Sequence, residues 1–217
     1  MQDLHQWEED KMTTTAFQYI FDHAETISID NKGTVGQTIS RDNTVKAVSR
    51  GAKIWRFTVK LPDGLRWSVA RPYIAAIEYA DRYTTGTVQI NNPGYNDWLT
   101  PYMGNCNSLT GFSATANLST NTITLSATPS ISSGYKFRVG DLIQLGSGHT
   151  YSVAADVPYT ETIVTLNRPV MEASGSYSLA VGKNVSWNVL VTSMPSWTIF
   201  ARDQVSWSGP FVFYEVF

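Results

Sequence analysis

The sequence predicts a mainly β protein. One β-domain, made of residues 14–103 and 183–217, carries a single helix, and a second, smaller β-domain of residues 104–182 is inserted into it. Three observations predict this. Apolar and polar residues alternate with period two over many short runs, the pattern of half-buried strands. Clusters of Gly, Asn, Asp and Pro separate those runs at turn spacing. The charge density also steps: residues 104–182 hold 7 charged residues in 79, whereas the other 138 hold 27. The same window carries 22 Ser and Thr, so the composition changes at both ends of the insertion.

Residues 1–13 read as an arm. Glu8, Glu9, Asp10 and Lys11 are of the solvated kind, and Leu4 and Trp7 stand apolar among them; the segment is either a frayed terminus or an arm whose Leu4 and Trp7 dock on a neighbouring subunit. From Thr14, the alternation of Phe17, Tyr19 and Phe21 against Ala16, Gln18 and Ile20 predicts a strand that continues over 25–29. Asp30-Asn31-Lys32-Gly33 is expected to be its hairpin turn. Further strands are expected over Val45–Ser49 and Lys53–Leu61. In the second, Trp55, Phe57, Val59 and Leu61 make an apolar face opposite Ile54, Arg56, Thr58 and Lys60. Pro62-Asp63-Gly64 then turns the chain into the helix, expected from Ser68 to about Tyr83. Ser68 suits its cap, Pro72 falls near its first turn, and Tyr73, Ile74 and Ile77 follow helical spacing. Glu78 and Arg82 add an i,i+4 pair. A strand over 84–90 ends at Asn91-Asn92-Pro93-Gly94.

Within the insertion, short strands are expected over 122–127, 141–145, 150–154, 161–166 and 176–181. Their turns fall at Ser133-Gly134, Gly146-Ser147-Gly148 and Asn167-Arg168-Pro169. Strands of that length and spacing make a small barrel or sandwich. After Gly182 the composition of the first domain returns: Val185, Trp187, Val189 and Val191 alternate with polar residues, then comes a strand over 197–201. A closing hairpin is expected over 205–217, around Gly209-Pro210. Its last residues, from Phe211 to Phe217, are strongly apolar, which puts Phe213 and Phe217 forward as subunit contacts beside Leu4 and Trp7.

Composition excludes several roles. A chain of 217 residues is long enough to bury roughly 70% of its unfolded surface. A net charge of −2 lacks the electrostatic footprint of a general nucleic-acid binder. The single Cys106 cannot form an internal disulfide or a cysteine-based zinc site. No apolar run reaches 18 residues, so no membrane span is expected, and the acidic start lacks the apolar region of a secretory signal. His5, His23 and His149 have no partner at metal-ligand spacing. No nucleophile elbow, zinc-protease helix or phosphate loop is present. Gly146-Ser147-Gly148-His149 lacks the following helix of a phosphate cradle and reads as a hairpin turn. Asp22, Asp30, Asp42, Asp63, Asp97, Asp141, Asp156 and Asp203 fall in turns and strand ends, where solvated acids are expected. No catalytic residue, cofactor or metal is expected.

The stretch from Asn91 to Tyr102 leaves two alternatives open. Tyr95, Trp98 and Tyr102 are suited to stack on sugar rings while the Asn and Asp residues hydrogen-bond hydroxyls. They are equally suited to pack a domain junction or a subunit contact.

The run Arg50-Gly51-Ala52-Lys53-Ile54-Trp55-Arg56-Phe57-Thr58-Val59-Lys60-Leu61-Pro62, then Ala70-Arg71-Pro72 and Ala75-Ala76-Ile77, then Thr85-Gly86-Thr87, resembles the distal tail proteins of long-tailed bacteriophages. Val139-Gly140-Asp141-Leu142-Ile143-Gln144-Leu145 and Tyr151-Ser152-Val153 look like the inserted domain that some members carry. The likeness covers most of residues 14–217. It departs at Gly51-Ala52, where two glycines are expected, and in the extra acidic arm. The resemblance implies a split β-barrel interrupted by a small OB-like barrel. It further implies a virion structural protein, without catalysis, that forms a homo-oligomeric, hexameric ring in the tail tip or baseplate. Its partners would be copies of itself, the tail tube, and hub or baseplate proteins, and it would be made in the host cytoplasm. A carbohydrate-binding adhesion module reaching a host surface glycan is the alternative, and a β-fold glycan hydrolase the third possibility. Sequence-specific nucleic-acid binding and membrane insertion are not expected.

Overall fold

Trp55, Phe57 and Val59 organise the first sheet. In the strand Ile54–Lys60 these three side chains are buried while Arg56 and Lys60 face water, the period-two pattern that strand geometry imposes. The computed structural model describes residues 16–33, 35–39, 41, 45–49, 53–80, 83–201 and 203–216. They form two compact units: the first holds residues 16, 24–85 and 189–216, and the second holds 17–23 and 86–188. The protein is mainly β, with a curled half-barrel sheet and, among the described residues, two α-helices.

In the first unit, Ile54–Lys60 is an inner strand. Thr26–Lys32 pairs with it on one side and Phe211–Glu215 on the other, both antiparallel. Phe211–Glu215 in turn pairs with the strand Ser186–Ser193, whose register slips between Val191 and Ser193. Phe213 lies opposite Phe57 in one neighbour and Val191 in the other, and all three are buried. Glu215 is buried in the same strand and accepts the Trp55 backbone N–H at 3.3 Å. A second sheet of Trp197–Phe200, Gln204–Trp207 and Leu65–Arg66 leads into the main helix. The residues at 35–39 and 45–49 pair as a separate hairpin.

That helix spans Trp67–Ala80, close to its expected position, and buries Ala70, Ile74 and Ile77 at i, i+4 and i+7. Its cap is not the one expected. The backbone N–H and the hydroxyl of Ser68 both donate to the Asp203 carboxylate, at 2.9 and 2.8 Å, and the Trp67 N–H donates to the Asp203 carbonyl. An acid 135 residues away in sequence thus satisfies the orphan donors of the first turn. Glu78 accepts from the Trp197 indole at 3.3 Å. Arg82, its expected partner, lies outside the described residues.

Three expectations are corrected. Residues 16–22 are helical, not a strand. Ala16, Phe17, Ile20 and Phe21 are the buried ones, a helical stripe that the dense aromatic run disguises as alternation. In the second unit Phe17 lies so close to Gly86 that a Cβ there would stand 2.5 Å from its ring. Asp30, Asn31 and Lys32 do not turn; they continue the strand opposite Arg56, Trp55 and Ile54. The closing hairpin over 205–217 is absent as well. Gln204–Trp207 and Phe211–Glu215 are strands of different sheets, because Gly209-Pro210 moves the chain from one to the other.

In the second unit, six antiparallel strands run in the order Thr150–Ser152, Leu142–Leu145, Gly175–Val181, Ser113–Ala116, Thr122–Ala127, Ile163–Thr165. The two outer strands are joined. Val153 and Leu166 form an antiparallel bridge, with Ala154 N–H to Thr165 O at 2.8 Å and Asn167 N–H to Ser152 O at 2.9 Å. The sheet therefore closes into a small barrel. Phe112, Ile123, Phe137, Ile143, Tyr151, Val164 and Val181 fill its interior, together with smaller apolar residues. The turn into Leu142–Leu145 needs Gly140, whose φ of +94° suits glycine.

Phe213 was a candidate subunit contact, and its full burial assigns it to the protein's own core. Phe213→Ala is expected to lower the free energy of urea unfolding by about 3–5 kcal/mol and to leave the association state unchanged. A loss below about 1 kcal/mol accompanied by dissociation would show the residue to be an interface contact after all.

Candidate functional site

The polar side chains of the loop after residue 90 decide what that loop can do. Asn96 is buried; its amide N–H donates to the Phe21 carbonyl at 2.9 Å and its Oδ1 accepts the Asn92 N–H at 2.8 Å. Asn92 donates to the Asp22 carbonyl at 3.1 Å, and Asn91 to Gln89 Oε1 at 2.9 Å. Asp97 accepts the Gly94 N–H at 3.1 Å, and Thr100 donates to the Ile90 carbonyl at 2.8 Å. Each of these side chains thus gives at least one polar atom to bracing the loop, which ends in a short 3-10 turn at Asp97–Leu99.

Those braces hold two large aromatic side chains in water. Tyr95 is 73% exposed and Trp98 is 68% exposed, the Trp98 indole N–H being held by the Tyr95 carbonyl at 3.0 Å. Tyr102 does not join them. It packs edge-on against Phe112 and Phe137 and donates its hydroxyl to the Lys136 carbonyl, so it belongs to the barrel core. Burial, and then the neighbouring Cys106, push its pKa up. The structure therefore splits the expected trio into an exposed pair and a core residue. Leu4, Trp7 and Phe217 lie outside the described residues.

A second constellation joins residues that the sequence keeps apart. The Glu172 carboxylate accepts the His149 backbone N–H at 2.6 Å, the His149 Nδ1 at 3.0 Å and the Tyr151 hydroxyl at 2.5 Å. Tyr151 also accepts the Met171 N–H at 2.9 Å, and the buried Arg168 guanidinium lies over its ring at 5.0 Å while donating to the Thr150 carbonyl. Burial alone would raise the Glu172 pKa, but the hydrogen bonds from His149 and Tyr151 overcome it and hold the carboxyl down at about 2. The expected hairpin turn at Gly146–His149 is thus one side of a polar clasp. Sequence spacing hides this clasp because His149 and Glu172 meet only once the barrel closes. Its groups satisfy one another, which makes it a structural clasp.

Other acids expected to be solvated are likewise structural. Asp141 is fully buried and accepts the Met103 N–H at 2.7 Å and the Arg138 N–H at 2.8 Å; burial raises its pKa in spite of both bonds. Asp63 accepts the Trp207 N–H at 3.0 Å, which with Ser206 holds its pKa below the usual value. Among the described residues, no group of three His, Cys, Asp or Glu is placed to hold a metal ion.

Because the Glu172 carboxyl binds its proton less tightly in the fold than its ordinary value of 4.5 implies, its stabilisation is complete above about pH 5 and fades as pH falls toward 2. Glu172→Gln is expected to cost on the order of 2 kcal/mol at pH 7 and to flatten the acid limb of the stability curve. Wild-type and variant curves that run parallel between pH 5 and pH 2 would refute the clasp. No protein-family model matches the chain, and no curated protein matches it.

Proposed function

We propose that the chain is a non-catalytic structural protein of a long-tailed bacteriophage virion. In this reading its copies assemble through exposed aromatic side chains into a ring in the tail tip or baseplate, hexameric as the family resemblance implies. The ring joins the tail tube to hub, receptor-binding or baseplate proteins. The observation that carries the reading is the Tyr95–Trp98 pair. A sugar site needs hydrogen-bonding groups beside its aromatic planes, and in this loop the Asn and Asp side chains are engaged by Phe21, Asp22, Gln89 and the loop's own backbone. What remains is a rigid apolar surface with polar tips, the chemistry of a protein–protein contact.

Other features support it. The resemblance over residues 50–62, 70–77 and 85–87 falls on an inner strand, the main helix and the strand Gly86–Gln89. Within the first unit Tyr79 and Tyr83 are also exposed, and so are Ile199 and Phe200 on the strand Trp197–Phe200. Interfaces favour such residues over Lys and Glu, and a ring requires one surface of each copy to meet a different surface of the next.

Native mass spectrometry and sedimentation velocity test this directly. At high micromolar concentration the wild type is expected as one discrete closed oligomer. Replacing both Tyr95 and Trp98 by Ser is expected to raise the dissociation constant by about 30-fold or more, equivalent to about 2 kcal/mol, with an unchanged circular dichroism spectrum. A monodisperse wild-type monomer under those conditions would overturn the reading.

A further inference from the structure

We infer that a groove on the second unit binds the carboxylate of an acidic saccharide, with the Lys136 ammonium as the charge partner and the Tyr159 ring as the plane on which the sugar lies. The site is separate from the Tyr95–Trp98 loop and does not depend on ring assembly. The groove is open, has a volume of about 840 Å³, and is lined by residues of the segments 105–107 and 128–136 together with Tyr159. That volume lies within the range of small-molecule sites.

Its charge is unbalanced. Lys136 is the single charged residue in the lining, and it is 7% exposed. Its ammonium donates to the Glu161 carbonyl at 2.6 Å, and among the described residues no carboxylate forms an ion pair with it. A buried cation without a counter-charge is costly. A ligand that supplies the missing anion removes that cost and gains a charge-assisted hydrogen bond, since the ammonium has two further protons to donate. One cation suits a monoanion such as a carboxylate better than a phosphate dianion.

The neutral lining adds the second half of the recognition. Asn105 uses its Oδ1 to accept the Tyr135 N–H at 2.9 Å, which leaves its amide N–H groups for another acceptor. Asn107, Ser130, Ser133 and the Tyr159 hydroxyl make no side-chain hydrogen bond to any described residue. In the loop after residue 90, by contrast with Asn107, Ser130, Ser133 and Tyr159, the side chains of Asn91, Asn92, Asn96 and Asp97 each make an internal hydrogen bond. Tyr159 is anchored by its N–H to the Gly134 carbonyl at 3.0 Å and keeps nearly half of its surface exposed. It belongs to the same turn as Glu161, whose N–H bonds Pro158 O at 3.0 Å. The carbonyl that holds the ammonium therefore stands two residues from the aromatic ring. A cation and an aromatic ring lining one groove, with free hydroxyls and amides, match a uronic acid: a carboxylate on a polyhydroxylated ring with an apolar face.

Isothermal titration of the full chain with a galacturonic acid tetramer, a neutral maltotetraose and inorganic phosphate tests this. The acidic tetramer is expected to bind at least tenfold more tightly than the neutral one, and phosphate not to compete. Tyr159→Ala, and Ser133→Trp, which fills the groove from an exposed position, are each expected to weaken the acidic tetramer at least tenfold. Lys136→Gln is expected to remove the preference for the acidic sugar. Thermal melts report whether each variant is folded, and if Lys136→Gln does not fold, the two surface variants decide. Equal binding of both tetramers, binding of neither, competition by phosphate, or unchanged binding by Ser133→Trp would overturn the proposal.

Discussion

A six-stranded sheet of short strands has two edges of unpaired N–H and C=O groups, and the barrel of the second unit depends on joining them. Its outer strands, Thr150–Ser152 and Ile163–Thr165, have three residues each, too few to be held by one neighbour. The Val153–Leu166 bridge gives each a second neighbour and encloses the apolar interior. It also fixes the path of the next segment. The chain leaving Leu166 runs through Asn167, Arg168 and Glu172, and each bonds back to the segment 149–152. The clasp at Glu172 is thus a consequence of closure, and it ties the Thr150–Ser152 edge to the segment that follows Ile163–Thr165.

Carboxylates do unusual work in this chain. It is charge-poor, and the acids it keeps in the ordered turns accept backbone N–H groups that no strand or helix partner satisfies: Asp203 for the main helix, Asp141 for the turn into the barrel, Asp97 for the exposed loop. A buried donor left without an acceptor costs about 1–3 kcal/mol. A carboxylate with two oxygens removes two such penalties at one position, as Asp141 does for Met103 and Arg138. Folding therefore decides where these charges sit, with little left for long-range electrostatics.

The mainly β class was legible because alternation is a local property: Trp55, Phe57 and Val59 announce a half-buried strand whatever pairs with it. The helix Trp67–Ala80 was legible for the same reason, through Ala70, Ile74 and Ile77. Residues 16–22 misled because Phe17, Tyr19 and Phe21 satisfy period two while Phe17, Ile20 and Phe21 satisfy the helical period, and burial chose the second. The pairing partners were not legible at all. Nothing near Phe211 says that it joins a different sheet from Gln204–Trp207, and nothing near His149 points to Glu172. At the candidate site, the prominence of Tyr95 and Trp98 was readable from residue type. The inward turn of Asn92, Asn96 and Asp97 was not, since an amide in a sequence does not show which backbone group it will meet.

The position of the strand Ile54–Lys60 has a consequence for synthesis. Phe57 lies opposite Phe213, so this inner strand of the first sheet gains that neighbour only after 156 further residues have been made. At cellular elongation rates that interval is on the order of ten seconds, far longer than a hairpin needs to form. Over that time the apolar face of Trp55, Phe57 and Val59 has just one of its two strand partners, while the whole barrel of the second unit emerges and has time to fold. The nascent chain then carries an open sheet whose apolar face stays uncovered on that side while residues 86–188 are made.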